Sequence, residues 1–252
     1  MRFLLFICLI CSSLSIYGHG NDTIKRTDFY KEIKNYDLSQ LWCGDSMISY
    51  KEAAAGNEDT AYKRPEPLGF IGDSFQRFYI HYTSVIKNPD NPYEYIVKGK
   101  TRVKNNICSF HGTIKVKDAD TNHDDEFLQG TVVCDILFYE DSGQTNSGFF
   151  KGVLKSEFFL DTRGKLRYNI LCAICDSYSN NQCVGTWTSY KTKITKRCNW
   201  GDFRIPDSYG FGQGDGEFEP SPKYYKFGWD DYQHPIFESE KTVKKEKEQW
   251  WK

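Results

Sequence analysis

The sequence of 252 residues lacks a large net charge of either sign, because 33 Lys and Arg residues nearly balance 34 Asp and Glu residues and leave a formal charge of −1. A strong field of one sign is what attracts proteins to nucleic acids and anionic membranes in general. The near neutrality therefore argues against a nucleic-acid partner. After the first 20 residues the chain also lacks any run of about 20 apolar residues, which a membrane-spanning helix requires. No transmembrane segment is predicted.

The one pronounced apolar run, Phe3 to Ile10, follows a single arginine and precedes a serine-rich stretch with Gly18 and Gly20. This order is typical of a secretory signal peptide. We therefore predict a secreted or periplasmic protein from which residues 1–20 are removed by cleavage near Gly18 or Gly20.

Helix-length apolar patterns are scarce, which argues against a βαβ protein. Between about residue 70 and residue 190, apolar and polar residues instead alternate with period two, as in strands with one buried face. Short polar connectors separate the runs, so each strand is expected to pair antiparallel with the next in a meander. Seven strands are predicted: FQRFYIHYTSVIK, YEYIVKGKTRV, ICSFHGTIKV, FLQGTVVCDILFY, GFFKGVLKSEFFL, LRYNILCAI and QCVGTWTSYK.

Five glycines fall on the apolar faces of these predicted strands: Gly99, Gly112, Gly130, Gly152 and Gly185. Glycine weakens a strand interior, but it permits the sharp bends that a closing sheet needs. We therefore predict an all-β fold, an antiparallel meander that closes into a barrel of seven or eight strands. A two-sheet β-sandwich with glycines at bulges is the alternative.

The segments outside these strands are predicted to be smaller elements. Residues 21–67 are expected to form a short helix, with Thr27 as N-cap and Phe29, Ile33 and Tyr36 on one side, followed by a polar connector. Residues 68–198 are predicted to be the barrel. Residues 199–252 are predicted to be an irregular strap, rich in glycine and aromatic residues, with a charged tail.

An exported meander with inward aromatic residues and the element Gly185-Thr186-Trp187 resembles the calycins, the lipocalin-like and avidin-like barrels. The resemblance implies a barrel that encloses a small ligand. Our first functional hypothesis is a non-catalytic exported binding protein that holds a small apolar or amphipathic ligand. The candidate lining residues are Tyr95, Phe110, Phe150, Phe158 and Trp187.

The strap supports a second hypothesis, a protein-binding module of the inhibitor or immunity type. Flat rings beside charged groups are common at protein-binding surfaces. The same rings also suit a segment that seals the barrel. The candidate contact residues are Trp200, Arg204, Tyr209, Phe211 and Trp229.

Catalytic and metal-binding signatures are scarce. The histidines accompany no serine or cysteine nucleophile in a recognisable elbow. Residues 118–124 alternate acids like a calcium loop, but His123 replaces the turn glycine and Gln129 replaces the bidentate glutamate. No cofactor, metal or catalytic residue is predicted, and an enzyme of calycin-like fold is the third hypothesis.

Nine cysteines are present, of which Cys8 and Cys11 would leave with the signal peptide. The remaining seven is an odd number, so at least one thiol is expected to lack an intramolecular partner. Symmetric hairpins would bring Cys172 opposite Cys183, and Cys108 opposite Cys134. Elimination leaves Cys43 with Cys198, and Cys175 as the odd thiol.

Overall fold

The computed structural model describes residues 26–56, 61–124, 127–170, 177–213, 218–230, 232 and 249–252. The predicted signal peptide lies outside these residues, as do Cys172 and Cys175. Every structural statement below concerns the described residues.

Most of the described chain forms strands. The strands are β1 (Thr27–Asp28), β2 (Ser46–Met47), β3 (Tyr62–Lys63), β4 (Leu68–Ile71), β5 (Gln76–Lys87), β6 (Glu94–Val103), β7 (Asn106–Asp124), β8 (Phe127–Glu140), β9 (Gly148–Leu160), β10 (Leu166–Tyr168), β11 (Asn180–Ser189), β12 (Thr195–Asp202), β13 (Gly212–Gln213) and β14 (Glu219–Pro220). The helices are α1 (Tyr30–Ile33), α2 (Ser39–Cys43), α3 (Tyr50–Ala55) and a 3₁₀ helix (Pro222–Phe227). The predicted all-β class is confirmed.

Eight of these strands form a ring within one large antiparallel sheet. The hydrogen-bonded order is β4, β5, β6, β7, β8, β9, β11 and β12, and β12 pairs back with β4. The strands β5 to β9 follow one another as the predicted meander.

Alternation along the ring strands places large apolar side chains inside. The buried residues include Tyr95, Val97, Phe110, Ile136, Phe138, Phe150, Leu154 and Phe158. The predicted inward glycines stand where strands approach closely: Gly152 faces Gly185 across β9 and β11. A Cβ atom on Gly152 would lie 2.8 Å from the Gly185 Cα and 2.6 Å from the Val184 carbonyl oxygen. A larger residue would force these two strands apart.

Three strand predictions were wrong. The ring uses β4 and β12, neither of which was predicted, so residues 199–202 belong to a ring strand and not to the strap. Of the predicted strand LRYNILCAI, residues 166–170 are described, and among these Leu166–Tyr168 form β10, which pairs with β9. The meander prediction paired the strand QCVGTWTSYK with LRYNILCAI, whereas this strand, β11, pairs with β9 and β12.

The turn between β7 and β8 lies further along the chain than predicted. Asp118, Asp120 and Asn122 belong to β7, where Thr121 pairs with Gly130. Their outward positions leave polar groups accessible to water, while Ala119 and Thr121 face inward and are buried. The hairpin therefore continues through a segment that had the composition of a connector.

The predicted N-terminal helix is shorter than expected, and the segment that contains it is more buried. Thr27 is not a helix cap, because it pairs with Thr121 in the sheet, and α1 contains only four residues. Residues 29–47, which we call the N-terminal plug, pack against the interior of the ring at one end. Phe29, Ile33, Leu38, Leu41 and Trp42 join the main hydrophobic core.

The described part of the strap, residues 204–213 and 218–230, contributes a second hydrophobic layer on the outside of the ring. Phe211, Phe218 and Trp229 pack on the outward residues of β4 and on Phe75. Further along the same side, Trp250 and Trp251 lie against Tyr79 and His81 of β5. We call the outer surface of β4 and β5 the covered face. None of the described helices has the length and apolar character needed to cross a membrane.

Candidate binding surfaces

The predicted ligand-lining residues lie inside the ring, where they contact other side chains. Tyr95, Phe110, Phe150 and Phe158 are all buried. The Phe110 ring stacks on Phe138 at 5.0 Å between centroids, and Phe150 lies 6.1 Å from Trp200. These aromatic residues therefore form part of the packed hydrophobic core.

The N-terminal plug is joined to this core by hydrogen bonds. The Tyr95 hydroxyl accepts the Leu38 backbone N–H at 2.9 Å, and the Trp42 indole donates to the Ser156 hydroxyl at 2.9 Å. Trp42 also packs edge-on against the Tyr95 ring, 5.0 Å away. Two of the interior groups are thus paired with the plug.

A buried ionic cluster lies at the same end of the ring. Asp202 Oδ2 accepts hydrogen bonds from Arg64, from the Tyr168 hydroxyl at 2.8 Å and from the Asn181 amide at 2.7 Å. Burial raises the pKa of the Asp202 carboxyl, and the Arg64 charge opposes that shift. Asn181 also donates to the Leu41 carbonyl at 2.8 Å. The cluster therefore links the plug to β10, β11 and β12.

Glu140 occupies the opposite end of the ring. Its carboxylate accepts hydrogen bonds from the Thr101 hydroxyl, from the Gly148 N–H at 2.8 Å and from the Trp187 indole at 2.9 Å. Burial raises the pKa of Glu140, while these hydrogen bonds oppose the shift. Trp187, the fifth predicted lining residue, is half-buried. The indole is therefore held at this end by a buried carboxylate.

The predicted contact residues of the strap are mostly buried. Trp200 lies inside the ring and donates to the Tyr82 hydroxyl at 3.2 Å. Phe211 and Trp229 are buried in the outer layer, Arg204 is half-buried, and only Tyr209 is fully accessible, at 90% exposed. The sequence left two alternatives for these residues, a protein contact surface and a seal over the barrel, and Phe211 and Trp229 pack the strap against the ring of strands.

The predicted disulfides are absent from the described residues. Cys43, Cys108, Cys134, Cys183 and Cys198 are free thiols. Cys134 faces Val116, and Cys108 faces Thr101, so their predicted pairing was wrong because the turn lies further along. Cys43 donates to the Tyr82 carbonyl, and is not bonded to Cys198. The partner of Cys183 was predicted to be Cys172, which lies outside the described residues.

The thiols inside the fold are kept protonated by their surroundings. Burial raises the pKa of Cys108 to about 11, with a smaller contribution from Glu140. Burial also raises the pKa values of Cys134, Cys183 and Cys198. Since the thiolate is the reactive form, these cysteines are poor nucleophiles. No group of three potential metal-binding side chains occurs in the described part of the chain.

A row of four rings lies on the outside of the ring of strands, on the surface of β7, β8, β9 and β11 that we call the open face. His111, Tyr139 and Phe149 are cross-strand neighbours, and Tyr190 follows β11. Successive centroids are 6.1, 6.2 and 6.2 Å apart, with tilts of 32 to 35°. His111 and Tyr139 are exposed, and Phe149 and Tyr190 are half-buried. We call these residues the aromatic row.

Sequence reasoning missed the aromatic row. His111, Tyr139 and Phe149 each lie on the polar side of a different strand, and Tyr190 follows a fourth strand. Only the strand register brings the four together. The signal available in the sequence was the outward position of Tyr139 and Phe149, each next to an inward residue.

Comparison with known proteins gives no match: no family model, no curated protein and no solved structure is significantly similar to the chain.

Proposed function

We propose that the chain is an exported, non-catalytic protein-binding module whose ring of strands is a closed barrel serving as a scaffold. Its contact surface in this proposal is the open face, with the aromatic row at its centre. This differs from our expectation that the strap makes the contact. The observation that carries the proposal is that four adjacent rings, two of them exposed and two half-buried, lie on one side, while the chain covers the other side itself.

The filled interior supports a scaffold function. Phe78, Phe138 and Phe150 all lie within 6.5 Å of the Trp200 ring, centroid to centroid. The plug packs against the same core from one end. A core filled by its own side chains gives the outer surface a fixed geometry, which reduces the entropy cost of binding.

The contrast between the two faces supports the choice of surface. On the covered face, Trp229 and Phe211 pack with the outward Leu68 and Phe70 of β4. On the open face, Tyr139 is 39% exposed, Val153 46% and Val184 42%. Accessible aromatic and aliphatic side chains that lie side by side are typical of protein contact surfaces.

The buried polar groups support a non-catalytic function. Asp202 and Glu140 use their hydrogen bonds to hold chain segments together, and the buried thiols are protonated. A catalytic base or nucleophile instead needs access to a substrate atom.

The proposal is tested by comparing what the protein retains when it is purified from its own host. The variant Tyr139→Ser with Phe149→Ser removes the centre of the row, and Tyr209→Ser removes an exposed ring on the strap as a matched control. We expect native mass spectrometry to detect a protein bound to the wild type and to the control, and to detect much less of it on the double variant. A bound protein that all three forms retain equally would refute the proposed surface.

The carrier hypothesis is a second candidate, favoured by Trp187, which is half-buried at the end of the ring opposite the plug. A small apolar ligand at that end would change the indole fluorescence saturably. A panel of fatty acids, retinoids, haem and flavins tests this. If none changes the emission, the carrier hypothesis fails.

A further inference from the structure

Lysines flank the aromatic row at both ends and on one side. Lys98 stands directly opposite His111 on β6, and Lys151 follows Phe149 by two residues on the same face of β9. Lys191 and Lys193 follow Tyr190 in the turn before β12. We call these four residues the row lysines, and all four are exposed.

None of the row lysines is in an ion pair with another described residue. Few acids offset this charge on the same side. Asp135 pairs with Lys117 at 3.3 Å, while Asp141, whose Oδ1 accepts the Gly143 N–H at 2.9 Å, keeps its negative charge. The surroundings of the row therefore present an excess of unpaired positive charge, although the whole chain is nearly neutral.

The chemistry of this surface discriminates among partners. A second copy of the chain would bring like charges together across a symmetric contact, which is unfavourable. Nucleic acid is favoured by rings with fully open faces and by arginines that contact phosphates. Phe149 and Tyr190 are half-buried. Arg197, which lies across β11 from Lys151, has its guanidinium over Phe70 and Phe75 of the covered face.

Resting on the proposed function, we infer that the partner presents an acidic segment with apolar or aromatic side chains among its carboxylates. The apolar side chains would pack on Tyr139 and Phe149, and the carboxylates would pair with the row lysines. Rings at the centre of a contact supply affinity, while charges at its edge supply association rate and specificity.

The test uses polymers of known composition on the intact protein. A random copolymer of glutamate and tyrosine is the acidic aromatic probe, a copolymer of lysine and tyrosine reverses its charge, and single-stranded DNA is a polyanion without carboxylates. Two variants carry the same charge change. The first replaces each row lysine by glutamate, and its matched control is Lys31→Glu, Lys34→Glu, Lys223→Glu and Lys226→Glu, on other surfaces.

We expect the glutamate and tyrosine copolymer to bind the wild type, and to bind the row-lysine variant about tenfold more weakly, with the control within about twofold of the wild type. Binding should also weaken in the variant Tyr139→Ser with Phe149→Ser. An absence of binding by this copolymer, or equal binding to the two charge variants, would overturn the inference. Tighter binding of single-stranded DNA, unaffected by loss of the two rings, would overturn it in favour of a nucleic-acid surface.

Failure of the inference is distinguishable from failure of the proposed function. If the lysine and tyrosine copolymer binds instead, and depends on Tyr139 and Phe149, the surface is correct and the charge of the partner is wrong. If no polymer and no host protein depends on these two rings, both proposals are wrong.

Discussion

The covered face and the open face carry similar residues, but other described segments of the chain pack on the covered face only. On the covered face the Arg77 guanidinium lies 4.0 Å from the Trp229 ring, and Trp251 stacks on His81 at 3.9 Å. On the open face the aromatic row and the row lysines have no described segment of the chain above them. The covered face therefore shows which contacts a segment makes with such a surface. Its aromatic rings pack against other rings and against cationic side chains.

The largest expected difference between the faces is in stability. Trp229 is buried, and its indole donates to the Phe75 carbonyl at 2.7 Å. We expect Trp229→Ala to lower the free energy of unfolding by about 3–5 kcal/mol, because the strap loses its main anchor. Chemical denaturation measures this. Tyr209→Ala, on the same strap but exposed, is the control and should change the free energy by less than about 0.5 kcal/mol.

An equal effect of Trp229→Ala and Tyr209→Ala would contradict the comparison, because it would mean that the strap contributes little to the fold. A loss with Trp229→Ala that Trp229→Phe largely restores would show that the ring contact matters more than the indole hydrogen bond.

The same difference between the faces explains which parts of the fold the sequence predicted. Strands with one solvent-exposed face, such as β6 and β9, alternate clearly between apolar and polar residues, and their inward residues were predicted correctly. In β4 all four residues are buried, because the strap lies on its outer face. In β12 the outward Asn199 is buried and donates to the Pro206 carbonyl at 3.1 Å. Burial on both faces removes the alternation, so these two strands were missed.

The candidate surface could not be predicted for a related reason. Its residues come from four strands, and their proximity depends on registers that the sequence left uncertain. The predicted turn near Thr121 would have shifted β8 against β7, whereas the observed register places His111 opposite Tyr139. The buried partners of Asp202, which include Arg64 from the N-terminal segment, depend likewise on long-range packing.

The second prediction concerns Trp250 and Trp251, which pack on the covered face near the end of the chain. Trp250 contacts Tyr79 at 6.0 Å and lies 5.3 Å from the Arg102 guanidinium. We expect Trp250→Ala with Trp251→Ala to lower the free energy of unfolding by about 1–2 kcal/mol, because both rings are only half-buried. Thermal denaturation measures the change, with Lys252→Ala as control. If the melting temperature stays at the wild-type value, these tryptophans do not stabilise the covered face.

The third prediction concerns the support beneath the open face. Glu140 and Gly148 are the inward neighbours of Tyr139 and Phe149, and the Glu140 carboxylate joins them by its hydrogen bond. Because burial raises the pKa of Glu140, the folded state binds a proton more tightly than the unfolded state. The ionised form therefore costs stability, and this cost grows as the pH rises from the unfolded pKa through the folded pKa.

The variant Glu140→Gln cannot ionise, and its amide is able to keep the bonds to Gly148 and Trp187. We expect its stability relative to the wild type to increase as the pH rises above about 4.3, the ordinary pKa of an unfolded glutamate. Urea denaturation at several pH values measures the difference between the two proteins. A difference that is the same at every pH would show that burial of this carboxylate imposes no ionisation cost.

The smallest expected effect on stability is at the aromatic row itself. Tyr139 and Phe149 pack against each other across β8 and β9 with their outer sides in water, and cross-strand aromatic pairs contribute about 0.2–1 kcal/mol. We expect Tyr139→Ser with Phe149→Ser to lower the free energy of unfolding by about 1 kcal/mol at most. Chemical denaturation checks this, beside the same measurement on Trp229→Ala. A large loss would mean that the rings serve the fold, so that the open face resembles the covered one. A small loss together with lost partner binding would assign the rings to a contact outside the chain.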